Sequence, residues 1–126
     1  MNFPLSFHRP WLKAALVLAG LLSLTACDSG PTMAEKIQVA QTLAPIDAQI
    51  NDIYQRSCKS CHTLEETGAP LVGDQHEWSI RLDKGKDELI ANVINGFGGM
   101  PPFGMCMECS PEQFEKLVAF MAQTQL

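Results

Sequence analysis

The 126-residue sequence predicts an all-α domain with two cysteine-bearing loops. Apolar residues recur at three- and four-residue spacing in three separate segments, the mark of a helix with one buried face. No segment shows the strict alternation of a half-buried strand. Clusters of Gly and Pro separate the helical segments and supply their ends.

The elements follow in chain order. Residues 28–34, "DSGPTMA", carry Ser29, Gly30 and Pro31 and read as a tether. From Glu35 to Leu43 the pattern is weakly helical, with Ile37, Ala40 and Leu43 near one face, a loose helix or more linker. Pro45 opens a clearer helix in which Ile46, Ile50, Ile53, Tyr54 and Ser57 form the stripe, and it leads directly into Cys58. "HTLEETGAPLVGD" is a loop, and "EWSIRL" a short helix containing Trp78. "DKGKDELIANVINGF" reads as a helix with Asp87 and Glu88 in its first turn. Leu89, Ile90, Val93, Ile94 and Phe97 form its apolar face, and Gly96, Gly98 and Gly99 end it. "MPPFGMCMECS" is a Pro- and Gly-rich loop. Ser110, Pro111 and Gln113 then start a last helix as a capping Ser, a first-turn Pro and a capping-box Gln, with Phe114, Leu117, Val118 and Met121 facing inward.

The first 26 residues stand apart from that domain. Arg9 and Lys13 precede "AALVLAGLLSL", an uncharged apolar run of 11 residues. A bilayer span needs roughly 20 apolar residues. A basic start, a short apolar run and small residues after it are the marks of an export signal. "LTAC", ending in Cys27, resembles the bacterial lipobox, in which the cysteine is lipidated and becomes the first mature residue. Several acyl chains would then anchor the chain firmly, where one would not. Asp28 resembles a signal for retention at the inner membrane. The expected organisation is a signal peptide over 1–26, a lipidated N-terminus and tether over 27–44, and a domain over 45–126. The expected location is the periplasmic side of the bacterial inner membrane. A flexible tether of about 17 residues would reach roughly 20–25 Å.

Cleavage leaves 7 basic and 14 acidic residues, a net charge of −7. Nucleic acid, whose binding rests on neutralising phosphate, is a poor partner for such a chain. A protein with a positive docking surface suits it.

Cys58, Cys61 and His62 form "CKSCH", and Cys106 and Cys109 form a second C-x-x-C pair. Two such pairs can hold zinc as four thiolates. Here 44 residues separate Cys61 from Cys106, longer than the usual zinc-ribbon gap, and an oxidising compartment works against four retained thiols. Thiol exchange of the thioredoxin kind needs the pair between a strand and a helix, whereas this one follows a helix. C-x-x-C-H is the signature of covalent haem attachment: two thiols add across two vinyl groups on one porphyrin edge, and the adjacent imidazole reaches the iron. His62 is the only histidine beside a cysteine pair.

A sixth iron ligand is sought among Met100, Met105 and His76. Met100 in "GGMPPFG" leads, because the residue before proline is pushed extended and Pro101 and Pro102 stiffen the loop. The second pair is followed by Ser110 instead of histidine, so it should attach no haem. A local disulfide is its expected state in the periplasm, and a redox-active pair the alternative.

Taken together, "CKSCH", "GAPLVGD", Trp78, "NGFGGMPPFGMCMECS" and the closing helix resemble the class I cytochromes c, and more narrowly the cytochrome c5 family, over about residues 46–126. The resemblance implies helices packed around one haem c, thioethers from Cys58 and Cys61, and axial ligands His62 and Met100. It also implies a Cys106–Cys109 disulfide and a Pro70 carbonyl accepting the proximal imidazole N–H, with Trp78 and Arg81 near the haem propionates. His/Met ligation raises the potential and leaves no open position for substrate. The expected function is therefore single-electron transfer, not an enzyme activity. Expected partners are a cytochrome bc complex or dehydrogenase as donor, and a terminal oxidase or reductase as acceptor. A haem sensor or enzyme with a displaceable methionine, and a zinc-bound structural lipoprotein, are the alternatives.

Overall fold

In the computed structural model, residues 30–126 are described and fold as helices, with no strand among them. The signal segment and Cys27 lie outside the described residues. Among the described residues, no helix is long and apolar enough to cross a membrane.

Helix α1 (Met33–Thr42) starts on a capping box, in which Thr32 Oγ1 accepts from the Glu35 amide at 3.4 Å and Glu35 Oε2 accepts from the Thr32 amide at 2.7 Å. Of the two expectations for this segment, a loose helix or more linker, the structure has the helix, and it packs on the domain. Ala40 is 0% exposed, and Ile37 and Leu43 pack against the core. Lys36 Nζ reaches the buried carboxylate of Asp74 at 3.0 Å. The compact unit begins at Pro31. The "TMAE" cap and a small residue at the contact permit close docking, which a periodicity of only three apolar positions understates.

Helix α2 (Ala48–Ile53) is capped by Asp47, whose Oδ1 accepts from the amides of Gln49 at 2.9 Å and Ile50 at 3.1 Å. Ile46 therefore lies ahead of the helix and is 104% exposed, not part of the stripe. The helix runs on through a π-helical segment (Tyr54–Cys58) into α3 (Lys59–His62). A π turn accommodates one extra residue. It rotates the positions downstream by about 100°, one residue's step, so Ile50, Ile53 and Tyr54 can face the core while His62 is also buried. A short 3-10 turn (Glu65–Thr67) leads into the loop carrying Pro70.

Helix α4 (Gln75–Leu82) holds Trp78, and α5 (Lys86–Asn95) buries Leu89, Ile90 and Val93. Phe97 lies past the end of α5 and is 60% exposed, so it leaves the expected apolar face. A second 3-10 turn (Pro102–Met105) precedes α6 (Pro111–Met121), which has the expected Ser110/Gln113 capping box and buries Phe114, Leu117, Val118 and Met121. Helices α2 and α5 both pack on α6. Tyr54 meets Phe120 edge-on with ring centroids 5.0 Å apart, tying the helix before the first cysteine pair to the C-terminal helix.

Candidate cofactor site

One cavity of about 280 Å³ collects the residues singled out by the sequence. Cys58, Cys61, His62, Pro70, Trp78 and Arg81 line it, together with Met100, Pro101, Gly104 and Met105. Val93, Val118 and Met121 contribute to its wall from α5 and α6.

On the proximal side the imidazole is fixed in one tautomer. His62 Nδ1 lies 2.8 Å from the Pro70 carbonyl oxygen, which can only accept, so Nδ1 carries the proton and Nε2 keeps its lone pair. Burial pushes the His62 pKa down, the Pro70 contact opposes this, and nearby Arg81 lowers it further. The ring is therefore held neutral, as a metal ligand requires. The loop bearing Pro70 is itself pinned: the Val72 amide donates to His62 O at 2.9 Å, and the Trp78 indole N–H donates to Leu71 O at 2.8 Å. That bond occupies the indole N–H, so Trp78 holds the loop and does not offer its donor to a propionate. Its ring lies near-parallel to the imidazole, 6.2 Å between centroids at 25°.

Burial pushes the Cys58 thiol up to about 11, with Arg56 opposing and Cys61 reinforcing. Before any covalent attachment Cys58 is thus a protonated thiol, unlike the low-pKa nucleophile of thiol exchange. Cys61 is exposed.

On the distal side, Met100 sits in a tight turn. Its amide donates to Phe97 O at 2.9 Å and its carbonyl accepts from the Phe97 amide at 3.1 Å. Gly96, at φ +79°, packs flat against this turn: a Cβ there would stand 2.8 Å from Met100 O and 3.0 Å from Pro102 N. Met105 lines the mouth of the cavity but is 71% exposed. His76 is exposed and lies off the cavity wall.

Cys106 and Cys109 are joined by a disulfide with Cα atoms 5.4 Å apart, and neither lines the cavity. Arg56 Nη2 lies 3.5 Å from Cys106 Sγ and pairs with Glu108. Among the described residues, the only group of metal-ligating side chains is Cys106, Glu108 and Cys109, two of which are consumed by the disulfide. The two cysteine pairs therefore do not converge on one metal.

The donor set fits haem c. Two cysteines, an imidazole with a free Nε2 and a thioether share one cavity wall with mostly apolar residues. Arg81 and Lys84 are the cations on the wall, and no Asp or Glu lines it, an arrangement suited to carrying propionate charge. Arg81 Nη1 is engaged by Glu77 Oε2 at 2.8 Å and Glu77 O, which orients its guanidinium. Lys84 and Gly104 escaped the sequence reading, and Gly96 was read there only as a helix stop. Gly98 and Gly99 before Met-Pro-Pro were the sequence signal for a close backbone approach, and Gly104 after it extends that signal.

Comparison with known proteins agrees. The family model described as "Cytochrome C oxidase, cbb3-type, subunit III" matches residues 46–121, leaving α1 outside the match. Cytochrome c5 of Ectopseudomonas mendocina is 35% identical over 74 residues, covering 57% of this chain and 85% of the relative. Cytochrome c5 of Azotobacter vinelandii is 34% identical over 74 residues, 57% of this chain and 89% of the relative. Cytochrome c-555 of Chlorobaculum thiosulfatiphilum is 36% identical over 72 residues, 54% of this chain and 84% of the relative. The helical fold, the cavity and these matches together place the chain among the class I cytochromes c of the c5 type, haem c electron carriers and not enzymes.

Proposed function

We propose that this chain passes single electrons between membrane-associated and periplasmic redox partners through one haem c. Cys58 and Cys61 would form its thioethers, and His62 and Met100 its axial bonds. The observation that carries the reading is one largely apolar cavity lined by Cys58, Cys61, Met100 and a His62 whose tautomer is set by Pro70. Haem bound there supplies a one-electron iron couple. The chain's own part is to occupy both axial positions, exclude water and hold the proximal ring neutral. An iron held from both faces has no open position for oxygen or peroxide.

The location proposed is the periplasmic face of the inner membrane, with a lipid on Cys27. Because the folded unit begins at Pro31, only three residues, Asp28, Ser29 and Gly30, separate it from Cys27. Fully extended, the four steps from Cys27 to Pro31 span about 14 Å, less than the longer tether expected from sequence. The domain would stand close to the bilayer and to redox complexes embedded there, such as a cytochrome bc complex or a terminal oxidase. Proximity of that kind raises effective concentration.

A visible spectrum and redox titration of the membrane-bound protein test the reading. A weak band near the red end of the oxidised spectrum, with a reduced form inert to carbon monoxide, is the expected result. Rapid carbon monoxide binding without that band would overturn it. Cys27→Ala should move the protein from the membrane to the soluble fraction, and unchanged partition with detergent would remove the lipid anchor.

A further inference from the structure

The segment between Met100 and the disulfide has an unusual backbone. Phe103, Gly104 and Met105 have successive positive φ values of +59°, +54° and +67°. Glycine adopts this region freely, whereas each flanking residue stores strain there. Gly104 is the buried member of the three, and Met105 stands exposed beside it. A Cβ on Gly104 would come to 3.2 Å from Met100 Cε. Carbon pairs settle at about 3.5–4.0 Å, so a methyl group at this position must displace the tip of the methionine side chain.

The backbone around Gly104 is tied on both sides. Its amide donates to Pro101 O at 3.0 Å, and the Cys106 amide donates to Phe103 O at 2.9 Å. Cys106 is in turn held by the disulfide and by Arg56. The softest partner in the contact is therefore the thioether end of Met100, not the loop. Gly96 plays the complementary part, bordering the Met100 main chain where Gly104 borders its tip.

We propose that Gly104 is a positioning residue for the distal ligand. The space left by its missing Cβ is where the Met100 methyl group rests, and this sets where the sulfur lies along its approach to iron. Gly104 lines the cavity itself, and in this role it acts through Met100. The inference rests on the reading of Met100 as axial ligand.

The test uses haem-loaded protein in four forms: parent, Gly104→Ala, Gly104→Asn and Gly85→Ala. Gly85 also has a positive φ, +90°, but nothing lies within 4 Å of its Cβ position, so Gly85→Ala imposes backbone strain without the contact. Asn tolerates left-handed backbone better than Ala, so Gly104→Asn keeps the loop foldable while still carrying a Cβ. The readouts are the methionine–iron band and the rate of carbon monoxide binding to the reduced form, with far-ultraviolet circular dichroism reporting the fold. Parent and Gly85→Ala should show the band and slow binding. Both Gly104 variants should lose most of the band and bind carbon monoxide at least roughly ten-fold faster, a weakening of about one decade in ligand strength.

Gly104 variants with the parent's band and rate would overturn the inference. So would loss of the band in Gly85→Ala, which would make the effect one of general strain. If neither Gly104 variant folds, Gly104 is a packing residue and the inference fails. A parent without the band instead overturns Met100 as ligand, and the inference with it.

Discussion

On the proximal wall of the cavity, side chains do the holding: the His62 N–H ends on Pro70 O, and the Trp78 N–H ends on Leu71 O. On the distal wall, backbone and empty space do it: a reciprocal pair between Phe97 and Met100, with Gly96 against the main chain and Gly104 against the methyl. The difference follows from what each wall presents. An imidazole has a second nitrogen through which its orientation and tautomer can be set. A thioether has no donor, so only steric boundaries can place it. The proximal wall is thus vulnerable to loss of a hydrogen bond, and the distal wall to gain of an atom.

The largest effect should come from removing the anchor of the proximal wall. Cys58→Ala with Cys61→Ala should abolish covalent haem, read as loss of haem stain on a denaturing gel. Retained covalent haem would show that the attachment lies elsewhere. Trp78→Phe keeps an aromatic ring but removes one of the two donors to the Leu71 carbonyl, leaving the Asp74 amide at 3.1 Å. Loss of the bond should cost about 0.5–1.5 kcal/mol in guanidinium unfolding and lower the reduction potential, while the methionine–iron band persists. If the band vanishes and the proximal ligation is unchanged, the two walls are not separable in this way.

Lys36→Met tests a tie outside both walls. Removing one partner of a buried ion pair can cost 3–5 kcal/mol, but Lys36 is partly exposed, so about 1–2 kcal/mol is expected. The measurement is denaturant unfolding, and equal midpoints for parent and variant would show that the Lys36–Asp74 tie contributes nothing to the fold. Cys106→Ser with Cys109→Ser closes a very short loop less firmly, and its cost should stay below roughly 3 kcal/mol. Here the distal wall should respond first, with the methionine–iron band lost at a lower temperature than in the parent.

Tyr54→Phe is the smallest change. The Tyr54 hydroxyl is buried without a hydrogen-bond partner, so its removal should be neutral or stabilising by up to about 1 kcal/mol. Burial, with a smaller contribution from Cys58, pushes its pKa from 10.0 up to about 12. In the parent, this group's stabilisation is present below pH 10 and is lost as pH rises toward 12, because the unfolded chain ionises first. Tyr54→Phe should flatten that part of the parent's stability profile. Identical profiles for the two proteins across this range would mean that burial does not keep the hydroxyl from ionising.

Much of the fold was legible because its signals are local. Asp87 and Glu88 at the start of α5, Ser110 and Gln113 at the start of α6, and the core stripes of both helices act within one or two turns. "CKSCH" was legible for the same reason: five consecutive residues on a helix end contain the whole proximal attachment chemistry. The misread residues are those decided at a distance. Ile46 matches the helical period, yet Asp47 caps the helix after it. Phe97 matches the next one, yet Gly96 turns the chain outward before it. Helix α1 looked like linker because its stability comes from Asp74, 38 residues away, and from a contact at Ala40 that a small side chain hardly advertises.

The sequence by itself determined the helical class, the caps, the attachment motif and the family, since these depend on residue types at fixed short spacings. Only the tertiary structure decided that Met100 shares a cavity wall with His62 while His76 does not, and that the second cysteine pair stays out of the cavity. It also decided that the folded unit starts at Pro31 and that Gly104 borders the Met100 methyl. Those outcomes depend on which surfaces meet when distant helices pack, and on atoms that are absent as much as on those present.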